Sequence, residues 1–145
     1  MEIETVCQLI LAIVLGALIG LEREYKGKGA GLQTYSLVAL GTCLFTIISF
    51  ELFDFFAVKS GISFDPSRII QAVAVGIGFI GAGVIFRQSS GVVGLTTAAG
   101  LWTTAAIGVA VGVRFYFLAV VTTLAVILIL AGLGLLEEKM FKEKK

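Results

Sequence analysis

The 145-residue sequence contains no histidine and only two cysteines, Cys7 and Cys43. Histidine is the commonest general base in enzymes and the commonest protein ligand of transition metals, so its absence argues against both kinds of site. Two cysteines are too few for a structural zinc site, and both lie in apolar segments, where buried free thiols are favoured over a disulfide. These absences argue against an enzyme and against a zinc or iron centre.

Charged residues are also scarce. They make up 14% of the chain, whereas soluble domains carry about 25%, so there are too few to cover a water-exposed surface. Hydrophobic residues make up 58%, and the mean hydropathy is +1.04. The net charge of +1 excludes a broad basic surface and argues against a nucleic-acid partner. We therefore predict an integral membrane protein whose principal surroundings are the lipid bilayer.

The spacing of the charges predicts how often the chain crosses the membrane. Five uncharged intervals are each roughly long enough for a helix of about 17–25 residues. They lack the short alternating segments of barrel strands, so helices are expected. We predict an all-α bundle of five transmembrane spans in residues 1–137, followed by a basic tail at 138–145. The predicted spans are 4–21, 32–51, 67–86, 92–112 and 115–136.

Basic residues predict the orientation. Eight of the eleven lysines and arginines follow the first, third and fifth spans. The positive-inside rule therefore predicts the N-terminus outside and the C-terminus inside. The loop after the first span, the segment around Arg87 and the basic tail would then be cytoplasmic.

The loop after the first span places acids and bases side by side at Glu22, Arg23 and Glu24. Anionic lipid headgroups would repel the two acids, which is unusual for a loop that only carries lipid-facing lysines. A docking surface or an internal ion-pair network is the alternative to a solvated loop.

Acids also cluster near the opposite end of the predicted bundle. Glu51 and Asp54 would share a helix face and could hold Mg²⁺ through water, although such acids more often mark a solvated helix end. Asp65 and Pro66 form a favourable helix start, and Asp65 is a third weak candidate ligand. Arg68 is a cation near a helix N-terminus, where it is disfavoured, so we expect it to pair with one of these acids.

Small and hydroxylated residues distinguish the third and fourth spans. The third span carries glycines at Gly76, Gly78, Gly81 and Gly83. Their spacing matches a dinucleotide fingerprint, but a position in mid-membrane excludes that function. We expect close helix packing there, with a broken helix as the alternative. Thr96 and Thr97 belong to a group of threonines that could line a polar seam beside these glycines.

Taken in order, these motifs resemble the MgtC/SapB family of bacterial membrane proteins. The matching segments are Gly20-Leu21-Glu22-Arg23-Glu24, Gly31-Leu32-x-Thr34, Val38-Ala39-Leu40-Gly41, Asp65-Pro66-x-Arg68, Gly76 to Ile85, and Gly94 to Ala99 with Leu101-Trp102. The resemblance covers nearly the whole chain. The functional-motif residues that it marks are Glu22, Arg23, Glu24, Asp65, Arg68, Gly76, Gly78, Gly81, Gly83, Thr96, Thr97 and Trp102.

Two features depart from the family pattern. Gln33 and Tyr35 stand where the family loop usually carries arginine and histidine. Longer family members also carry a C-terminal ACT-like domain, whereas this sequence ends in a short basic tail. The chain thus resembles the short SapB-type form.

The resemblance implies a multi-pass protein of the bacterial inner membrane, linked to growth at low Mg²⁺ and to survival of intracellular pathogens. The best-studied member is thought to restrain the F-type ATP synthase. We therefore favour a non-catalytic regulator or interaction module linked to low-Mg²⁺ adaptation and membrane energetics. It would form a homo-oligomer, with a dimer favoured, and dock on a membrane protein such as the F-type ATP synthase.

The alternative is an oligomeric transporter or channel for Mg²⁺ or another ion. Its outer mouth would be formed by Glu51, Asp54 and Asp65. No cofactor is predicted, with Mg²⁺ left open as a candidate.

Overall fold

A computed structural model describes residues 2–57, 65–89 and 91–141. Part of the segment between the second and third predicted spans and the last residues of the predicted basic tail lie outside these residues. The helices are α1 (Glu2–Tyr25), α2 (Leu32–Ala57), α3 (Ser67–Val84), α4 (Leu95–Gly112), α5 (Tyr116–Ile127) and α6 (Gly134–Phe141). A π-helical segment, Leu128–Leu133, joins α5 to α6, and two short strands, β1 (Phe86–Gln88) and β2 (Gly91–Val93), separate α3 from α4.

The described chain contains five helical segments long and apolar enough to cross a membrane, which confirms the predicted transmembrane bundle. The fifth runs from Tyr116 to Leu133 and includes the π segment. At a rise of about 1.5 Å per residue, the 18 residues of α3 extend about 27 Å, close to the thickness of the hydrocarbon core. The 26 residues of α2 reach beyond it, so Glu51 and Asp54 continue the helix rather than follow it.

A short hairpin corrects the predicted span limits. The third span was expected to reach residue 86 and the fourth to begin at 92, but α3 ends at Val84 and α4 begins at Leu95. Residues 86–88 pair antiparallel with residues 91–93, with Arg87 opposite Val92. The backbone bends between β2 and α4 at Gly94, whose φ is +92°. A side chain there would collide with the Val84 carbonyl, so the turn requires glycine.

Three helices, α1, α2 and α4, form the core, and α2 lies between the other two. On α1, a Cβ added to Gly16 would lie 2.6 Å from the Tyr35 carbonyl oxygen. One added to Gly20 would lie 2.7 Å from the Cα of Leu32. Lipid supplies no hydrophobic drive between helices, so such close backbone contact is a main source of their association.

Glycines of α4 pack against the other side of α2. A Cβ on Gly108 would overlap Thr42 and the carbonyl of Ala39, and one on Gly112 would lie 2.6 Å from the Cβ of Thr46. Gly108 and Gly112 are four residues apart and therefore share one helix face. This face holds α2 and α4 together across the centre of the bundle.

The helix α3 lies at the periphery, contrary to the central position expected from its glycines. Its buried residues are Ile77 and Gly81, and an added Cβ on Gly81 would meet Ala98 of α4 at 3.5 Å. Gly76, Gly78 and Gly83 face open space within the described chain. Glycine composition alone does not reveal which face of a helix meets the bundle, and here the packed glycines belong to α1 and α4.

At the end of the bundle opposite the hairpin, Gln8 joins α1 to the end of α4. Its Nε2 donates to the carbonyls of Val111 at 2.9 Å and Gly112 at 3.2 Å. These are among the last carbonyls of α4, which lack partners within their own helix. Nearby, Arg114, with a φ of +66°, forms an exposed ion pair with Glu4 at 3.1 Å.

Replacing glycine by alanine should have different effects at packed positions such as Gly108 and at open positions such as Gly76. We expect Gly108→Ala to lower the melting temperature in detergent, because the new methyl group overlaps the backbone of α2 at a cost of about 1–3 kcal/mol. Gly76→Ala should leave it unchanged or raise it slightly, since the site is open and alanine favours helix. Equal melting temperatures for the two variants would show that α2 and α4 are not in close contact.

Candidate functional site

Arg23 lies near the end of α1. Among the described residues it is the charged residue with the least exposed surface, 3%. Its Nη2 donates to the Thr97 hydroxyl of α4 at 3.3 Å, and its Nη1 lies 3.5 Å from Oε2 of Glu22. A guanidinium stays charged at any physiological pH, so burying it is costly unless opposite charge and hydrogen bonds accompany it. These contacts tie α1 to the first turn of α4.

Glu22 supplies the negative charge at this site. Its carboxylate oxygens are shielded from solvent, and Oε1 lies 2.8 Å from the ammonium of Lys26 one turn later. Glu22, Arg23 and Lys26 therefore form an internal ion-pair network, one of the alternatives that the sequence left open for this loop.

The network also reaches the fifth span. Lys26 Nζ donates to the Leu130 carbonyl at 2.7 Å, and Leu130 lies within the π segment. A Cβ added to Gly134 would lie 3.0 Å from the same ammonium, so glycine leaves room for it. π-helical turns are frequent at functional sites, and this one is held by a charged side chain from the turn that follows α1.

Tyr35, which with Gln33 stands where the family loop was expected to carry arginine and histidine, belongs to the same cluster. It is fully buried, and its hydroxyl donates to the Thr97 carbonyl at 3.3 Å. Thr97 thus accepts from Arg23 through its hydroxyl and from Tyr35 through its backbone. We call Glu22, Arg23, Lys26, Tyr35 and Thr97 the ionic cluster. Gln33, by contrast, is exposed on α2.

Glu24 has a local structural role. Its Oε2 accepts a hydrogen bond from the Leu32 amide at 2.9 Å, which caps the N-terminus of α2 with a negative charge. A Cβ at Gly31 would collide with this carboxylate, so the glycine allows the cap to form.

A cavity of about 640 Å³ adjoins the ionic cluster. One wall is basic and polar and contains Arg23, Lys28 and Thr96. Lys28 belongs to the glycine-rich loop at residues 27–30, which lines the same side, and the hairpin with the end of α3 contributes apolar side chains that include Val84 and Phe86. We call this space the basic-end cavity.

The acids at the opposite end do not assemble into a comparable site. Glu51 and Asp54 are exposed on α2, and no group of three potential metal-ligating side chains occurs in residues 2–57, 65–89 and 91–141. Asp65 Oδ1 accepts from the Ser67 amide at 2.9 Å, and hydrogen bonds from the Ser67 side chain and backbone lower the pKa of Asp65. Asp65 thus accepts from the first amide of α3, but the helix begins one residue later than expected, with Pro66 rather than Asp65 at the N-cap position.

Several predicted motif residues lie apart from the cluster. Arg68 forms no salt bridge within the described ranges, but together with the Ser67 hydrogen bonds its charge lowers the pKa of Asp65, one of the acids with which it was expected to pair. Trp102 is 54% exposed on the surface of α4. The polar seam between α3 and α4 is also absent from the described chain, since Thr97 and Thr104 are buried while three glycines of α3 face outward.

Sequence reasoning missed Lys26, Tyr35 and Gln8 as structural anchors. The sequence did indicate a pair between Lys26 and Glu22, because the two residues are four apart, a spacing that brings side chains together on a helix. Tyr35 and Gln8 are polar residues in predicted spans, where a buried partner is expected.

The free energy of unfolding should depend more on Glu22 than on any exposed acid. We expect Glu22→Gln to lower the free energy of unfolding by about 3 kcal/mol, because Arg23 and Lys26 would lose their shielded counter-charge. The control, Glu51→Gln, removes an exposed carboxylate and should change stability by less than about 0.5 kcal/mol. Unfolding in detergent measures both, and similar effects would argue against a stabilising network.

Comparison with known proteins places this geometry in context. A family model described as the MgtC family matches residues 9–139. The protein named "Putative magnesium transporter YhiD" of Escherichia coli (strain K12) is 43% identical over 130 residues, which cover 90% of this chain and 60% of that protein. No solved structure matches the chain.

Two further relatives are similar. "Protein SapB" of Bacillus subtilis (strain 168) is 44% identical over 110 residues, covering 75% of this chain and 47% of SapB. "Protein MgtC" of Brucella abortus (strain 2308) is 42% identical over 116 residues, covering 80% of this chain and 45% of that protein. The chain thus spans about half the length of these relatives. None of the three names describes an enzyme.

Proposed function

The chain belongs to the MgtC family of multi-pass membrane proteins, and on that premise we propose that it is a non-catalytic regulator that docks on another membrane protein. It acts in the bacterial inner membrane, with the hairpin end of the bundle in the cytoplasm. Its role is adaptation to low Mg²⁺ and to changes in membrane energetics. A membrane enzyme such as the F-type ATP synthase is a fitting partner, and a second copy of the chain is a fitting neighbour.

The observation that carries this proposal is the open face of α3. Ala72, Gly76, Phe79 and Gly83 are exposed and recur at spacings of four, three and four residues. At 3.6 residues per turn these positions form one stripe, on the side opposite the packed residues Ile77 and Gly81. Small residues in such a stripe allow another helix to approach closely in a bilayer. We call it the outer stripe of α3.

The interior of the bundle also favours a regulator. Within the spans, Thr46, Thr104 and Thr123 donate their hydroxyls to carbonyls of their own helices. Arg23 and the shielded carboxylate of Glu22 both lie near one end of the bundle rather than in its middle. Mg²⁺ holds its waters tightly and prefers carboxylates. Hydroxyls already engaged by their own helices offer such an ion little in mid-membrane.

Ion transport by an oligomer is the second candidate. The relative from E. coli is named as a magnesium transporter, and the outer stripe of α3 would let several copies surround a pathway. Glu51, Asp54 and Asp65 would then form its outer mouth.

Photo-crosslinking tests the docking surface with a matched control. Phe79 on α3 and Phe117 on α5 are each 84% exposed, so a photoreactive phenylalanine analogue can replace either without disturbing the core. We expect position 79 to give protein adducts of defined mass in native membranes, whereas position 117 gives mainly lipid adducts. An adduct at a multiple of the 15.3 kDa chain mass identifies further copies of the chain, and an adduct of any other mass identifies a different protein. Protein adducts of equal yield at both positions would contradict docking through α3.

Mg²⁺ influx into sealed proteoliposomes separates the two candidates. For a regulator we expect the rate to equal that of empty liposomes, with folding confirmed on the same sample. Saturable influx that is lost in Asp65→Asn or Glu51→Gln, while protein stability is kept, would establish the transport alternative.

A further inference from the structure

We propose that the basic-end cavity binds a phosphate group, held by the N-terminus of α4 together with Arg23 and Lys28. The group could belong to a phospholipid headgroup or to a soluble phosphate, because the recognising chemistry is the same. The inference holds whether the protein regulates a partner or transports an ion.

The first component is the start of α4, an 18-residue helix. Its first intrahelical bond runs from the Ala98 amide to the Gly94 carbonyl at 2.8 Å, so the amides of residues 95–97 precede the bonded part of the helix. The N-cap residue, Gly94, offers no side-chain oxygen to them. Thr96 and Thr97 of this turn line the cavity. Free amides at the positive end of a helix dipole form a ready anion site.

The second component is independent of the helix. Arg23 lines the same cavity, and only 3% of its surface is exposed. Its Nε nevertheless has no hydrogen-bond partner among the residues described. Thr97 and Glu22 contact the two Nη atoms but not Nε, and an unsatisfied donor on a buried guanidinium is costly. A phosphate is a suitable acceptor, because the spacing of the guanidinium donors matches that of phosphate oxygens.

The charges around the cavity favour an anion. Lys28 is an exposed cation on the cavity wall. Glu22 is the acid closest to Arg23, but Lys26 pairs with it at 2.8 Å and offsets its charge. Glu24 points its carboxylate at the amide of Leu32 and caps α2. Arg23 and Lys28 therefore leave an excess of positive charge beside the first turn of α4.

The shape of the cavity accommodates more than a bare ion. Its volume of about 640 Å³ lies within the range of small-molecule sites, about 300–1,000 Å³. Val84, Phe86 and Leu95 provide apolar surface in the same space. Gly27 and Gly29, with no atom near an added Cβ, leave the loop side open. A phosphate that carries an apolar substituent thus fits the two kinds of wall.

The test uses the whole protein, delipidated in neutral maltoside detergent near neutral pH, and records thermal unfolding. One arm adds inorganic phosphate against chloride at equal ionic strength. The other adds phosphatidylglycerol against oleate, which matches its charge but lacks the phosphate. We expect a saturable rise in melting temperature with at least one phosphate source and none with its control.

Variants assign the effect to the cavity. Lys28→Gln should weaken the apparent affinity about tenfold, as expected for loss of one charge-assisted contact. Thr96→Val removes a hydroxyl from the same wall. Arg87→Gln is the matched control, because Arg87 is an exposed cation on β1 outside the cavity wall. Arg23→Gln is less informative, since it also breaks packing between α1 and α4.

The two arms identify the source. Stabilisation by inorganic phosphate supports a soluble ligand, and stabilisation by phosphatidylglycerol alone supports a lipid headgroup. The proposal is overturned if neither source exceeds its control. It is also overturned if the two cavity variants respond no differently from Arg87→Gln.

Discussion

Close backbone contact on both sides of α2 determines the arrangement of the other helices. Glycines of α1 meet one side of α2, and glycines of α4 meet the other. Because α1 and α4 are both held against the same helix, the end of α1 is brought beside the start of α4. Arg23 can then reach the Thr97 hydroxyl, and Tyr35 of α2 can reach the Thr97 carbonyl. The polar chemistry at this end of the bundle therefore depends on apolar packing in its middle.

The ionic cluster and the outer stripe of α3 divide the molecule into two parts with different physical character. The cluster is charged and largely buried, its members come from α1, the turn after α1, α2 and α4, and it contacts the π segment, so it has little freedom to rearrange without loss of stability. The stripe is apolar and makes few contacts within the chain. Membership of the MgtC family and the similarity to YhiD leave both regulation and transport open, and these two surfaces suggest where each activity would be sought.

Sequence analysis was most successful where one physical constraint dominates. Uncharged intervals identify membrane helices because charge is costly in lipid, and each of the five predicted spans contains a helix long and apolar enough to cross a membrane. The hairpin was missed because its apolar residues continue the hydrophobic pattern of the neighbouring spans. The peripheral position of α3 was missed because glycine permits close approach without specifying it. The spacing of Gly100, Thr104, Gly108 and Gly112, each four residues after the last, indicates one packed face of α4 more clearly than the glycines of α3 do. This spacing is visible in the sequence.

The candidate site was partly predictable. Glu22, Arg23 and Thr97 were marked by the family motifs, and an internal ion-pair network was one of the hypotheses for the loop. The hydrogen bond from Lys26 to the Leu130 carbonyl could not be predicted, because it joins residues 104 positions apart and requires an irregular helix turn. Such contacts depend on how helices assemble, which spacing along one helix does not encode.

The central position of α2 has a consequence for synthesis. The pairing of α1 with α2 joins consecutive segments and can form as soon as both have left the ribosome. The pairing of α2 with α4 must wait until α3 and the hairpin have been made and α4 has entered the bilayer. During that interval one glycine-contacting side of α2 faces lipid and the guanidinium of Arg23 lacks Thr97. The nascent chain thus passes through a two-helix stage in which other membrane proteins or insertion factors have access to surfaces that the finished bundle conceals.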